Sequence, residues 1–118
     1  MNSDYPKTVM KPWGKEIWLE LNDKYCLKEI YLQRDRRTSL QYHNKKLETS
    51  RVISGKIEVL LEEDSGEMKR HIFLPGDSFT IQPPRKHMVI ALEDSLYLEA
   101  STPEVEDVVR IKDDYGRA

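Results

Sequence analysis

This sequence predicts an all-β fold, a sandwich or barrel of about eight short strands. Three observations carry that expectation. Apolar and polar residues alternate in short runs, turn-forming residues interrupt those runs at regular spacing, and apolar residues rarely fall at helical spacing. The chain has 118 residues, room for one domain and too little for two. A domain of this size buries roughly two-thirds of its unfolded surface, so one core suffices without covalent staples.

The elements follow in order. Glu16 to Leu21 alternates, placing Ile17, Leu19 and Leu21 on one face. Tyr25 to Gln33 is a second strand; a charged turn with Arg34, Arg36 and Arg37 leads into a third from Thr38 to His43. Asn44-Lys45-Lys46 precedes a fourth from Glu48 to Ile53, ended by Ser54-Gly55. Lys56 to Glu62 and Met68 to Phe73 flank Asp64-Ser65-Gly66, which reads as a hairpin turn because Gly66 tolerates positive φ. Leu74-Pro75-Gly76-Asp77 turns into Ser78 to Ile81, and Pro83-Pro84-Arg85-Lys86 breaks the chain before His87 to Leu92. Glu93-Asp94 leads to a last clear strand, Leu96 to Ala100; Val105 to Ile111 fits either a strand or one helical turn. The expected organisation is one domain over 1–118, with an N-terminal arm of about 1–14 and a C-terminal tail of about 103–118.

Composition excludes several classes. The net charge is −2 with both signs mixed along the chain, which argues against disorder and against a nucleic-acid-binding stripe. Cys26 is the only cysteine, so no internal disulfide forms; among apolar strand residues it reads as a buried, inert thiol. The N-terminal residues do not read as a signal peptide, and no apolar run reaches membrane-spanning length, so the expected location is the cytoplasm, without a membrane partner.

Two of the three histidines carry the chemistry. Gln41 and His43 are two apart on one strand and share a face. Glu48 opens the next strand after a tight connection, and His87 opens a much later one. These four donors could converge inside a barrel, whereas His71, on a polar strand, reads as surface. A nitrogen and oxygen set without thiolate suits a divalent ion; zinc ranks first, with iron, manganese, cobalt and nickel compatible. Four protein ligands leave positions for water or substrate on a metal that accepts five or six.

The spacing adds a resemblance. Gln41-x-His43, four residues, Glu48, six residues and Gly55, followed by Gly76, ten residues and His87, resembles the paired motifs of the cupin superfamily. Gln41 stands for the first histidine, and Asp35, Gln82, Pro84 and Ala91 replace turn and closing residues of those motifs. Lys11-Pro12-Trp13-Gly14, Ser39-Leu40-Gln41-Tyr42-His43, Asp107-Val108-Val109-Arg110 and Tyr115-Gly116-Arg117 resemble stretches of the isomerase domain of type II mannose-6-phosphate isomerases.

The resemblance implies a double-stranded β-helix, or jelly-roll barrel, that interconverts an aldose and a ketose phosphate through an enediol with one divalent metal. The nucleotidyltransferase domain often fused in that family has no room here, so that activity is not expected. The family's phosphate-serving arginine becomes Lys46; Arg36 and Arg117 are the other expected phosphate contacts.

Alternation supplies two candidate bases, Lys28, in phase with Ile30 and Leu32, and Glu99, out of phase with Leu96, Leu98 and Ala100. Rival readings are a non-catalytic cupin binding a metal and a sugar, then an Fe(II) dioxygenase; a metal-free epimerase dyad fits the ligand pattern poorly. The expected partners are a small sugar or sugar phosphate and a second copy of the chain, since paired sheet edges would form a homodimer.

Overall fold

The computed structural model describes residues 4–117; the outermost residues of the expected arm and tail, 1–3 and 118, lie outside them. Eleven strands and no helix occur among the described residues. They are β1 (Lys7–Lys11), β2 (Gly14–Leu21), β3 (Cys26–Leu32), β4 (Leu40–Tyr42), β5 (Glu48–Ser54) and β6 (Ile57–Glu62), then β7 (Met68–Phe73), β8 (Ser78–Ile81), β9 (His87–Ala91), β10 (Ser95–Ser101) and β11 (Val109–Lys112).

The strands form two antiparallel sheets, one ordered β1-β2-β3-β10-β5-β8 and the other β11-β4-β9-β6-β7. From β3 onward consecutive strands cross between the sheets, the β6–β7 hairpin apart, giving the double-stranded β-helix that the motifs imply. Alternation drives it: β3 buries Cys26, Lys28, Ile30 and Leu32, and β10 buries Ser95, Tyr97, Glu99 and Ser101.

Register divides the interior into two layers. Tyr97 lies between Ile30 and Val52, and Val89 opposite Val59, in a core completed by Trp13, Leu32, Ile57, Phe79, Ile81 and Ala91. Two residues along the same strands the side chains become polar: Glu99 lies between Lys28 and Ser50, and His87 opposite Gln41. Each buried aliphatic or aromatic side chain in the first layer contributes roughly 1.5–3 kcal/mol. That layer carries the stability, and the second is free to carry charge.

Two local expectations change, and the inner face of β2 becomes defined. Residues Lys7–Lys11, expected as an arm, form a strand on β2. The third strand contracts to Leu40–Tyr42, leaving His43 just beyond its end. On β2 the side chains lining the interior are Glu16 and Trp18, so Ile17 faces the other way. The apolar face of that strand is not the inner face, because the inner face bounds a charged cavity. In the tail, Val109–Lys112 is the strand alternative, paired with β4.

Candidate metal centre

His43, Glu48 and His87 come together in the polar layer, with one ligand atom from each within 4.8 Å of the others. Glu48 and His87 are the first residues of β5 and β9, and His43 directly follows β4, so strand ends fix all three. Glu48 Oε1 lies 3.3 Å from His87 Nε2 and 3.8 Å from His43 Nε2. All three side chains are buried.

The second nitrogen of each imidazole is fixed. His43 Nδ1 lies 2.7 Å from the Asp107 carbonyl oxygen, and His87 Nδ1 lies 3.0 Å from that of Arg85. A carbonyl oxygen only accepts, so each Nδ1 carries the hydrogen and each Nε2 presents a lone pair to the cluster. Burial pushes both imidazoles down from their ordinary range, His87 to about 4, which keeps them neutral as metal ligation requires.

His43 Nε2 is buried and has no hydrogen-bond partner among the described residues. An orphaned lone pair of that kind is costly in a protein interior. A divalent cation would satisfy it, so the residues present fit a metal.

Gln41 lies across the ladder from His87 and lines the same cavity, with its Oε1 accepting a hydrogen bond from Ser39 Oγ at 2.6 Å. Beside the cluster, Lys46 Nζ is 3.2 Å from both Glu48 Oε2 and Glu99 Oε2. Burial penalises every member of this group. For Lys46 the two carboxylates outweigh that penalty and raise its pKa. For Glu99 the attraction of Lys46 and Lys28 outweighs it and lowers the pKa, whereas burial and repulsion from Glu99 push Glu48 up.

Lys28, in register with Glu99, sits 3.4 Å from Glu16 Oε1 and 4.3 Å from the centroid of the Trp18 ring. Trp18 Nε1 donates to the same Glu16 oxygen at 2.8 Å.

Of the residues expected to contact phosphate, Lys46 is buried between carboxylates, and Arg117 lines the cavity but is held by both oxygens of Asp113. Arg36 is exposed in the turn between β3 and β4 and does not line the cavity. His71 is half-buried on β7, 3.3 Å from Glu63 Oε1 and away from the cluster, and Cys26 is fully buried.

The sequence reading did not single out Glu16, Lys11, Arg110 or the brace formed by Asp107. The Asp107 carboxylate accepts from the backbone N–H groups of Asn44, Lys45 and Lys46, at 3.2, 2.7 and 3.1 Å. It ties the tail to the loop that carries His43 and Lys46. The available signal was that Lys11 opens one stretch resembling the family, and Asp107 and Arg110 bound another.

Comparison with known proteins places this architecture. The mannose-1-phosphate guanylyltransferase of Escherichia coli is 31% identical over 115 residues, 94% of this chain but only 23% of that protein. The chain thus spans under a quarter of the length of the curated relatives it matches. An RmlC-like cupin from Shewanella frigidimarina superposes with a TM-score of 0.73 at 18% identity, covering 91% of this chain and 92% of that one. Bacillus subtilis oxalate decarboxylase, described with Mn(II) centres, superposes with a TM-score of 0.77 at 14% identity, over 92% of this chain and 31% of that one. The fold is therefore that of the cupins. A family model described as mannose-6-phosphate isomerase C-terminal matches residues 2–113, and the chain belongs to that family.

Proposed function

We propose that this domain is a metal-dependent sugar-phosphate isomerase that interconverts an aldose and a ketose, with mannose 6-phosphate as the first substrate to test. The observation carrying this reading is the orphaned His43 Nε2, which faces Glu48 and His87 beside the buried Lys46–Glu99 pair. Membership of the family supports the choice of reaction.

His43, Glu48 and His87 would hold the metal, with the Gln41 amide oxygen as a fourth donor. Zinc is the first ion to test; manganese comes next, since a fold neighbour carries it, ahead of iron, cobalt and nickel. A divalent ion there would polarise the oxygens on C1 and C2 of the sugar and stabilise enediolate charge.

Glu99 is the base in this reading and Lys28 its support, because Lys28 is already engaged by Glu16 and Trp18. The Glu99 carboxylate takes the proton from C2. The C–H electron pair moves into the C1–C2 bond, and charge collects on the C1 oxygen, where the Lys46 ammonium neutralises it. Glu99 then delivers its proton to C1. The C2 hydroxyl proton passes to the C1 oxygen, leaving a ketone at C2.

The test is a coupled isomerase assay on metal-loaded protein with mannose 6-phosphate, run beside His87→Ala and Glu99→Gln. We expect turnover in the parent, loss of both metal and turnover in His87→Ala, and loss of turnover with metal retained in Glu99→Gln. A folded, metal-replete protein without turnover would remove this substrate. It would favour a cupin that binds a sugar without converting it, a reading suited to the fact that Lys46 and Glu99 already neutralise each other.

A further inference from the structure

The cavity over the metal cluster contains more positive charge than its own carboxylates neutralise. Lys11, Lys28, Lys46, Arg110 and Arg117 line it, against Glu16, Glu48 and Glu99. Lys28 is paired with Glu16, Lys46 with Glu48 and Glu99, and Arg117 with Asp113. Lys11 and Arg110 form no ion pair among the described residues.

Arg110 Nε is moreover buried without a hydrogen-bond partner. Arg110 lines the cavity, and a buried guanidinium N–H with nothing to accept it is a donor awaiting an acceptor. Burial draws the Lys11 pKa down, and the charges of Lys28, Arg110 and Arg117 act in the same direction against Glu16. Lys11 and Arg110 therefore feel one another across the cavity, one from the β1 edge of the first sheet and the other from the β11 edge of the second.

The ladder sets the scale. Arg110 lies opposite Gln41, and Gln41 opposite His87, so Arg110 is two strand spacings from His87. Two spacings are roughly 10 Å, a span that a long side chain and an extended sugar phosphate bridge together.

We infer that Arg110 and Lys11 form an oxyanion site that takes the phosphoryl group of the substrate while its other end lies at the metal cluster. A guanidinium offers a paired fork of donors to phosphate oxygens, and an ammonium opposite adds a point charge. The assignment deepens the isomerase reading and rests on it for the identity of the sugar. It moves phosphate recognition from the exposed Arg36 and the buried Lys46 to two residues left unpaired at the cavity wall.

The test is calorimetric titration of inorganic phosphate, and separately of mannose 6-phosphate and mannose, into metal-loaded protein. Parent, Arg110→Gln, Arg110→Lys, Lys11→Gln and Arg36→Gln are compared, each first checked for parental circular dichroism and metal content. Phosphate is expected to bind the parent and Arg36→Gln alike, and to bind Arg110→Gln and Lys11→Gln roughly 10- to 100-fold more weakly. Arg110→Lys should recover part of that loss, and mannose should be indifferent to all four changes. In turnover, Arg110→Gln should raise KM for mannose 6-phosphate more than it lowers kcat.

Phosphate that binds Arg110→Gln and Lys11→Gln as tightly as the parent, or that does not bind the parent, overturns the site. Because phosphate binding is read without turnover, an Arg110-dependent titration in a protein lacking isomerase activity keeps the anion site and rejects only the sugar. Should Arg110→Gln fail to fold, Lys11→Gln and Arg110→Lys decide the matter alone.

Discussion

Asp107 acts twice on the candidate metal cluster without offering it a ligand. Its carbonyl oxygen fixes the tautomer of His43, and its carboxylate binds three consecutive backbone N–H groups of the loop between β4 and β5. Those bonds, the one from Lys45 foremost, hold the carboxyl below its usual range. Replacing Asp107 with Ala leaves the carbonyl in place but releases the loop that positions it. Zinc or manganese affinity, read by competition with a chromophoric chelator, should fall roughly 10- to 100-fold. Asp114→Ala, which loses only an exposed pair with Arg37, should bind as the parent does. Equal affinities in the two variants would show that the brace is dispensable. At this scale the sequence was legible where spacing is local. Alternation placed Lys28 and Glu99 on inner faces, and the short distance from Gln41 to Glu48 brought three donors to one connection, which crosses from β4 in one sheet to β5 in the other. It could not place Lys46 against Glu99, 53 residues away, or Asp107 against His43, 64 residues away. Such pairs are made by the closure of the barrel and leave no mark on neighbouring residues.

Among the elements, strands bounded by glycine or proline turns were readable and β1 was not. β5 to β10 lie within two residues of their expected bounds, because hairpin glycines and prolines mark their ends. The alternation of β2 put Ile17, Leu19 and Leu21 on one face without saying which was inner; Glu16 and Trp18 line the charged cavity, Ile17 between them faces away, and a bulge between Trp18 and Glu20 interrupts the alternation. β1, rich in lysine, carries no such signal and exists because β2 offers it an edge. The turns separate in the same physical way. Gly55, between β5 and β6, has φ 86°, and a Cβ there would stand 2.3 Å from Ser95 Oγ and 2.4 Å from the Asp94 carbonyl. Gly66, in the β6–β7 hairpin, has φ 89° with no atom within 4 Å of the same position. Both alanine variants are strained by positive φ, but only Gly55→Ala also forces β10 aside. Gly55→Ala should cost about 2–4 kcal/mol and Gly66→Ala about 1 kcal/mol, read from urea midpoints at constant slope. Equal losses would mean that the contact with β10 yields freely.

Across the whole molecule, the division of the barrel into an apolar layer and a charged one makes stability depend on pH. Folded His87 takes a proton only near pH 4, against about 6.5 for an unfolded imidazole, and His43 is shifted the same way. Between those values the unfolded chain binds more protons than the fold, so stability falls as pH falls from 6.5 to 4. For His87 the loss is about 3 kcal/mol. Glu99, held down chiefly by Lys46 once the cost of burial is met, adds to the loss below its unfolded value near 4.5. Glu48 acts oppositely: its pKa, raised to about 8, gives stability below the unfolded value near 4.5 that is lost as pH rises from there toward 8, so it offsets part of the imidazole gain in the same window. The imidazole contribution is isolated by comparing chelator-treated parent with His87→Asn and His71→Asn. Taken as parent minus His87→Asn, the unfolding free energy should grow by about 3 kcal/mol from pH 4 to 6.5, because the Glu48 slope is common to both profiles and cancels. His71→Asn, changed at a half-exposed edge strand, should keep the parental slope. A His87→Asn profile parallel to the parent would mean that the fold opens to admit the proton, and that the charged layer is wetter than its burial implies.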